Sequence, residues 1–268
     1  MELIDLYAGI GVFSYCAKQV WGDYLKILGF SEIDDYCIKV YQQHNPGVPH
    51  LGRAEDVNGK AIKFSGPSIV TGGFPCPPFS YAGNRRGKKA DSYEWDSMLR
   101  IIVETRPNWV IAENVTGLLT LGIEESISDL EGKGYETGVF VLPACGVDAP
   151  HRRERVFIIA NTKRKSISRS RNVNESEFTF ANTNQTEQTW KWLAEKQTGQ
   201  DLLNPSWPNY WETEPPVFGM DDGATDKLHR TKRIEVLGNA VVAPLVCVLM
   251  DAIKNIQDLI DVEANPNT

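Results

Sequence analysis

The first 160 residues alternate short apolar runs with helix-length amphipathic segments. Glu2 to Leu6 is an apolar run that stops at a glycine turn, and Val12 to Trp21 then carries apolar residues at helical spacing. Lys26 to Ile33 predicts a second strand, followed by a helix over Asp34 to Gln43 that Asn45-Pro46 terminates. Ser68 to Thr71 and Trp109 to Ala112 predict short buried strands, the first running into Gly72-Gly73 and the second into Glu113-Asn114. Tyr135 to Leu142 and Arg155 to Ala160 predict two more. Strands alternating with helices predict the α/β class: a doubly wound, Rossmann-like, mostly parallel sheet with helices on both faces.

The pattern breaks after Asn161. From Thr162 to about Lys227 the chain is rich in Asn, Thr, Ser, Gln and Trp, with little apolar periodicity and a proline-bearing stretch from Pro205 to Pro216. A structureless loop of this length inside a compact domain is unusual, so 162–227 is expected to be a small inserted domain, and 1–161 with 228–268 the main body. An amphipathic pattern resumes over Leu237 to Ile260, where Ala240, Leu245, Val248, Leu249 and Ile253 suit packing against the sheet. There is no internal repeat.

Composition narrows the class. The 268 residues are 41% hydrophobic and 24% charged, with no uninterrupted apolar stretch long enough to cross a membrane. Acids at Glu2 and Asp5 stand where a signal peptide would carry positive charge, so a cytoplasmic, monomeric chain is expected. Five cysteines, widely spaced and without a C-x-x-C pair, favour neither a disulfide framework nor a metal site. The net charge of -7 discourages a polyanionic partner until its distribution is considered. Windows 85–89, 152–155, 163–171 and 227–233 hold 16 of the 28 cationic residues and a single acid, Glu154. One such run is ordinarily a solvated face; four on an acidic chain keep a nucleic-acid partner open.

Candidate chemistry gathers where strands end. The turn Tyr7-Ala8-Gly9-Ile10-Gly11 leads from a strand into a helix, and its two glycines allow close approach of a ligand to free helix amides. Glu32, 21 residues past Gly11 at the end of the next strand, stands where nucleotide-binding folds place an acid for ribose hydroxyls. A third phosphate-binding glycine is absent, which suits an adenosine ligand without a pyrophosphate. Asp56 is expected at the same edge of the sheet. In Gly73-Phe74-Pro75-Cys76-Pro77-Pro78, prolines hold a cysteine in a loop, and Arg85, Arg86, Lys88 and Lys89 follow closely enough to favour a thiolate. Glu113 then reads either as a helix cap or as a proton donor paired with that cysteine.

The ordered series DLYAGIGVFS, Glu32, Asp56, GGFPCPPFS, ENV, HRRER and LGNAVV resembles the DNA (cytosine-5) methyltransferases over nearly all of the chain except Thr162 to about Lys227. That resemblance implies a methyltransferase sheet binding S-adenosyl-L-methionine, with 162–227 as the target-recognition domain and double-stranded DNA as partner. Carried over by residue, Phe13 and the Gly9 to Gly11 turn line the cofactor site, with Tyr7, Ala8, Val57, Pro75 and Val241 alongside. Glu32 binds the ribose, Ile33 covers the adenine, Asp56 bonds its amino group, and Asn239 helps close the pocket. Cys76 becomes the nucleophile, Glu113 the acid, and Arg153 and Arg155 the groups that hold the flipped cytosine and neighbouring backbone.

Val12, Pro77 and His151 depart from the family pattern without removing a catalytic group. The implied role is modification of cytosine in nucleoid DNA, beside a cognate restriction endonuclease or alone. Two rivals stay open at this stage: a structured RNA substrate for the same chemistry, and a non-catalytic nucleic-acid-binding homologue. Intact Cys76, Glu113, Arg153, Arg155 and Glu32 speak against the last.

Overall fold

The computed structural model describes residues 1–75, 94–147, 149, 151–162 and 239–264. Six strands form one sheet: β1 (Glu2–Leu6), β2 (Lys26–Phe30), β3 (Ser68–Gly72), β4 (Trp109–Val115), β5 (Tyr135–Pro143) and β6 (Glu154–Thr162), in the order β2-β1-β3-β4-β6-β5. Pairings from β2 across to β4 are parallel, while β6 runs antiparallel to both neighbours, β4 and β5. The predicted α/β class and all six strands are present.

Each face of the sheet has its own core, and the alternation of side chains along the strands separates the two. Ile4, Leu6, Val70, Val110, Ala112 and Ile158 pack on one side, with α3 (Trp95–Thr105) and α5 (Ile123–Gly132), which follows the short α4 (Leu118–Leu121). On the other side, Leu3, Ile69, Trp109, Ile111 and Phe157 pack against α1 (Val12–Trp21) and α6 (Ala243–Ala264). Leu245, Leu249 and Ile253 are buried there as their spacing predicts, together with Val246 and Met250, whereas Val248 is half-buried. The buried Trp109 indole donates to Gln257 at 2.9 Å, tying α6 to the sheet.

Three boundaries differ from expectation for identifiable reasons. β2 ends at Phe30 rather than Ile33, because the Glu32 carboxylate accepts the Ile33 and Asp34 amides at 2.7 and 2.9 Å and takes them out of the ladder. Asp34 lies just outside α2 (Asp35–His44) as its N-cap, accepting from the amides of Tyr36 and Cys37. β4 also runs on to Val115, held by pairing with β6 as far as Arg155, so Glu113 sits within a strand.

The amino edge of the sheet is closed by a saturated acid. Glu2, almost fully buried, accepts from the Ser65 amide and hydroxyl, the Gly66 amide and Lys26 Nζ. Burial alone would raise this carboxyl, but those donors outweigh it and bring it down to about 2.

Candidate active site

On the α1/α6 face, apolar residues give way to polar ones as the strands approach their carboxyl ends. Leu3 is followed two positions on by Asp5, Ile69 by Thr71, and Ile111 by Glu113; on antiparallel β6 the same row reads back from Phe157 to Arg155. Asp5 and Thr71 are in register across β1 and β3. Thr71 lies opposite Ile111, so Glu113 stands one same-face step further out, and Arg155, opposite Val115, one step beyond that; the polar groups climb across the sheet toward the loops that leave it.

A cavity of about 290 Å³ opens at this edge. One wall is the turn after β1, with Tyr7, Ala8, Gly9 and Phe13; another is the end of β2, with Glu32 and Ile33. Pro75 and Glu113 line a third side, and Asn239 and Val241, just before α6, close it. The turn is strongly bent: Tyr7, Gly9 and Gly11 have φ of 51°, 54° and 86°. At Gly11 a Cβ would stand 2.7 Å from the Tyr41 ring, so the turn lies flat on that ring only because the side chain is missing. Glu32 links both walls, accepting the Gly9 amide at 2.7 Å with one oxygen and the Ile33 and Asp34 amides with the other.

Glu113 faces the cavity with its side chain 12% exposed. Arg155 Nε lies 3.1 Å from Oε1, yet its N–H is not aimed at that oxygen, which is buried without a hydrogen bond. Burial pushes the Glu113 carboxyl up to about 7, and the Arg155 and Arg153 charges pull it back only part of the way. A carboxyl held in that range keeps a proton to donate near neutral pH. Gly73 makes room for it: a Cβ there would lie 3.1 Å from Oε2.

The neighbouring residues hold the frame. Asn114 is buried and donates to the Phe74 carbonyl at 3.0 Å, and Phe74 packs on Trp95 with ring centroids 5.3 Å apart. Tyr7 donates its hydroxyl to the Glu94 carbonyl at 3.1 Å. Arg153, at φ 31°, donates to the Ala240 carbonyl at 2.7 Å, joining the start of β6 to the residues that precede α6. Burial lowers the Arg153 pKa, as does the like charge of Arg155.

Most of the residues singled out in the sequence thus meet around one cavity. Three cofactor-site residues do not reach its wall. Gly11 lies beneath the turn, Val57 is a core residue, and Asp56 is exposed in a short 3-10 turn, Ala54–Asp56, whose neighbours Arg53 and Ala54 line the cavity instead. Periodicity gives no sign of a 3-10 turn. Cys76, the windows 85–89, 163–171 and 227–233, and the whole of 163–227 lie outside the described residues. Asp5, Glu94 and Arg53 escaped the sequence reading. For Asp5 the signal was present, an acid inside an otherwise apolar strand. Among the described residues no His, Cys, Asp and Glu cluster could hold a metal ion, and no helix is long and apolar enough to cross a membrane.

Comparison with known proteins agrees with this geometry. The chain is 31% identical over 203 residues to the orphan methyltransferase M.SPBetaI of Bacillus phage SPbeta, covering 59% of this chain and 44% of that protein. It is 34% identical over 172 residues to the type II methyltransferase M1.ScrFI of Lactococcus lactis subsp. cremoris, covering 62% and 43%. With the type II methyltransferase M.DdeI of Desulfomicrobium norvegicum it shares 30% identity over 196 residues, covering 67% and 46%. The chain spans less than half the length of these curated relatives. Among solved structures, the Entamoeba histolytica methyltransferase EhMeth shares the fold, with a TM-score of 0.50 at 14% identity over 61% of this chain and 53% of that one. Residues 1–215 match the family model for C-5 cytosine-specific DNA methylases, and the chain belongs to that family.

Proposed function

We propose that the chain is a DNA (cytosine-5-)-methyltransferase, acting on a cytosine flipped from a specific duplex sequence, with S-adenosyl-L-methionine as methyl donor. The observation that carries this reading is Glu113, a carboxyl pushed up to about 7 on the wall of the cavity that also holds the Gly9 turn and Glu32. Cys76 directly follows Pro75 on that wall.

The donor set fits the cofactor. Glu32 Oε2, which accepts only the Gly9 amide, keeps a lone pair for a ribose hydroxyl, whereas Oε1 is filled by the Ile33 and Asp34 amides, and Val12 and Phe13 bring the first amides of α1 to the cavity. When bound there, S-adenosyl-L-methionine supplies an electrophilic methyl group.

The chain's own residues prepare the base to accept it. Cytosine carbon 5 is a poor nucleophile while the ring is aromatic. The Cys76 thiolate adds to carbon 6, forming a carbon–sulfur bond and moving electron density toward carbon 5, while protonated Glu113 donates to ring nitrogen 3 and stabilises the charge that develops. After carbon 5 is methylated, loss of its proton expels the thiolate and restores the ring as 5-methylcytosine. Stacked duplex hides both carbons, so the base must leave the helix at a cost of about a few kcal/mol, offset by backbone contacts. Arg153, Arg155 and the basic windows suit such contacts, and segment 162–227 is the proposed target-recognition domain. The setting is cytoplasmic nucleoid DNA, either beside a cognate endonuclease, as the type II names of two relatives suggest, or alone, as the orphan name of the phage relative suggests.

Duplex DNA carrying 5-fluorocytosine at the target, incubated with the chain and S-adenosyl-L-methionine, tests the reading, because fluorine blocks the final elimination. A covalent complex that maps to Cys76 and is absent in Cys76→Ser is expected. An active serine variant, or no adduct on a duplex that the chain methylates when unmodified, would overturn it.

A further inference from the structure

Asp5 is fully buried at the carboxyl end of β1 and has no part in the chemistry above. One oxygen accepts the Ser14 amide at 3.2 Å and the Ser14 hydroxyl at 2.7 Å; the other accepts the Thr71 hydroxyl at 2.9 Å. Ser14 Oγ also lies 2.6 Å from the Tyr41 hydroxyl. Because Ser14 gives its proton to Asp5, Tyr41 must be the donor to Ser14, so the chain of bonds runs one way, from Tyr41 through Ser14 to Asp5.

This network lies under both halves of the site. Ser14 is the third residue of α1, whose N-cap, Gly11, has no side chain to satisfy the helix amides. Asp5 therefore acts as the cap from across the turn, leaving the Val12 and Phe13 positions to face the cavity. Tyr41, at the other end of the chain of bonds, is the ring on which Gly11 rests. On the opposite side, Thr71 is two residues before Gly73, against which Glu113 is seated, and five before Cys76. A carboxyl wholly removed from water costs stability that an apolar side chain at the same place would not, so stability alone is a poor account of it.

We propose that Asp5 is a positioning residue that fixes the cofactor turn and the strand leading to the nucleophile at one offset, acting through Ser14 on one side and Thr71 on the other. The inference rests on the methyltransferase reading of the site. Asp5→Asn keeps the volume but cannot accept from both sides, since its NH2 group must face either the Ser14 donors or the Thr71 hydroxyl.

The test measures S-adenosyl-L-methionine binding by calorimetry, kcat at saturating cofactor, and thermal unfolding. Asp5→Asn is expected to weaken cofactor binding by about tenfold, the scale of one buried hydrogen bond left unmade, and to lower kcat as well. Ser14→Ala weakens binding, whereas Thr71→Ala lowers the rate of the 5-fluorocytosine adduct at unchanged cofactor affinity. Tyr135→Phe, which removes a buried hydroxyl bonded to Pro107 at 2.9 Å at the far edge of the sheet, is the matched control and lowers only the melting temperature. Should Asp5→Asn fail to fold, the Ser14 and Thr71 variants decide the matter. Variants that change the melting temperature as Tyr135→Phe does, with cofactor affinity and kcat intact, would overturn the inference. A parent chain that binds no S-adenosyl-L-methionine would instead overturn the reading on which it rests.

Discussion

Glu2 and Glu113 sit at opposite edges of the same sheet, both with little exposure, and their surroundings push them in opposite directions. Glu2 is saturated by the donors of Ser65, Gly66 and Lys26 and held down at about 2; Glu113 has Arg155 beside it but no aligned donor at its buried oxygen, and rises to about 7. Low exposure is common to the two, though Glu113 lies deeper, so low exposure alone does not distinguish a structural acid from a reactive one. What separates them is whether the hydrogen-bonding capacity of the carboxylate is used up by the fold or kept open toward a cavity.

The contrast can be broken most decisively at Glu113. Glu113→Gln should lower kcat by roughly 10² to 10⁴, the usual contribution of a positioned acid, with little change in melting temperature because the volume is kept. Its pH profile should change shape as well. Parent activity should fall as pH rises through about 7, where Glu113 gives up its proton, and the glutamine variant should lack that limb. A variant that retains both kcat and the limb would show that the raised acid is incidental.

At Glu2 the consequences should be reversed: Glu2→Gln should cost about 2 kcal/mol of stability, from donors left unpaired, while kcat per folded molecule stays the same. The sign of its pH dependence follows from a folded pKa near 2 against an ordinary 4.5. Its stabilisation is complete above the ordinary value and drains away as pH falls toward 2, so denaturant titrations from pH 5 downward should show a steeper loss in the parent than in the variant. The smallest effect belongs to Lys26→Met. That side chain is 68% exposed and 3.3 Å from Glu2, and removing it should shift stability by no more than about 0.5 kcal/mol. A larger loss would mean that the ion pair, rather than the amide donors, holds Glu2 down.

Much of this was legible in the sequence because the strands carry it openly. Runs such as Leu3-Ile4 and Trp109-Val110-Ile111 announce buried parallel strands, and Asp34 announces the start of α2. Glu113 and Glu32 were found because each stands at the carboxyl end of an apolar run, at the edge where ligands bind in this class of fold. The end of β2 was misjudged because a side chain, that of Glu32, removes backbone amides from the ladder, and such a side-chain-to-backbone bond leaves no periodic trace. Asp56 falls in a 3-10 turn that leaves the cavity wall to Arg53 and Ala54, and such a turn has no periodic trace either. Asp5 was passed over as merely an acid near the N-terminus; only the registry of β1 with β3 and the return of α1 over it reveal three donors converging on one carboxyl.

The packing of α1 against α6 has an outcome in time as well as in space. Phe13, Cys16, Ala17 and Trp21 bury their surface against Leu245, Val246, Leu249, Met250 and Ile253, more than 220 residues later, and Asn239 to Val241 finish the wall that Tyr7 to Phe13 begin. During synthesis the first helix made must wait with part of its apolar side exposed until nearly the last described residues emerge. Contacts between positions so distant are slow to form. Until then the growing chain presents a partly covered helix and an unfinished pocket, so the cavity is completed late.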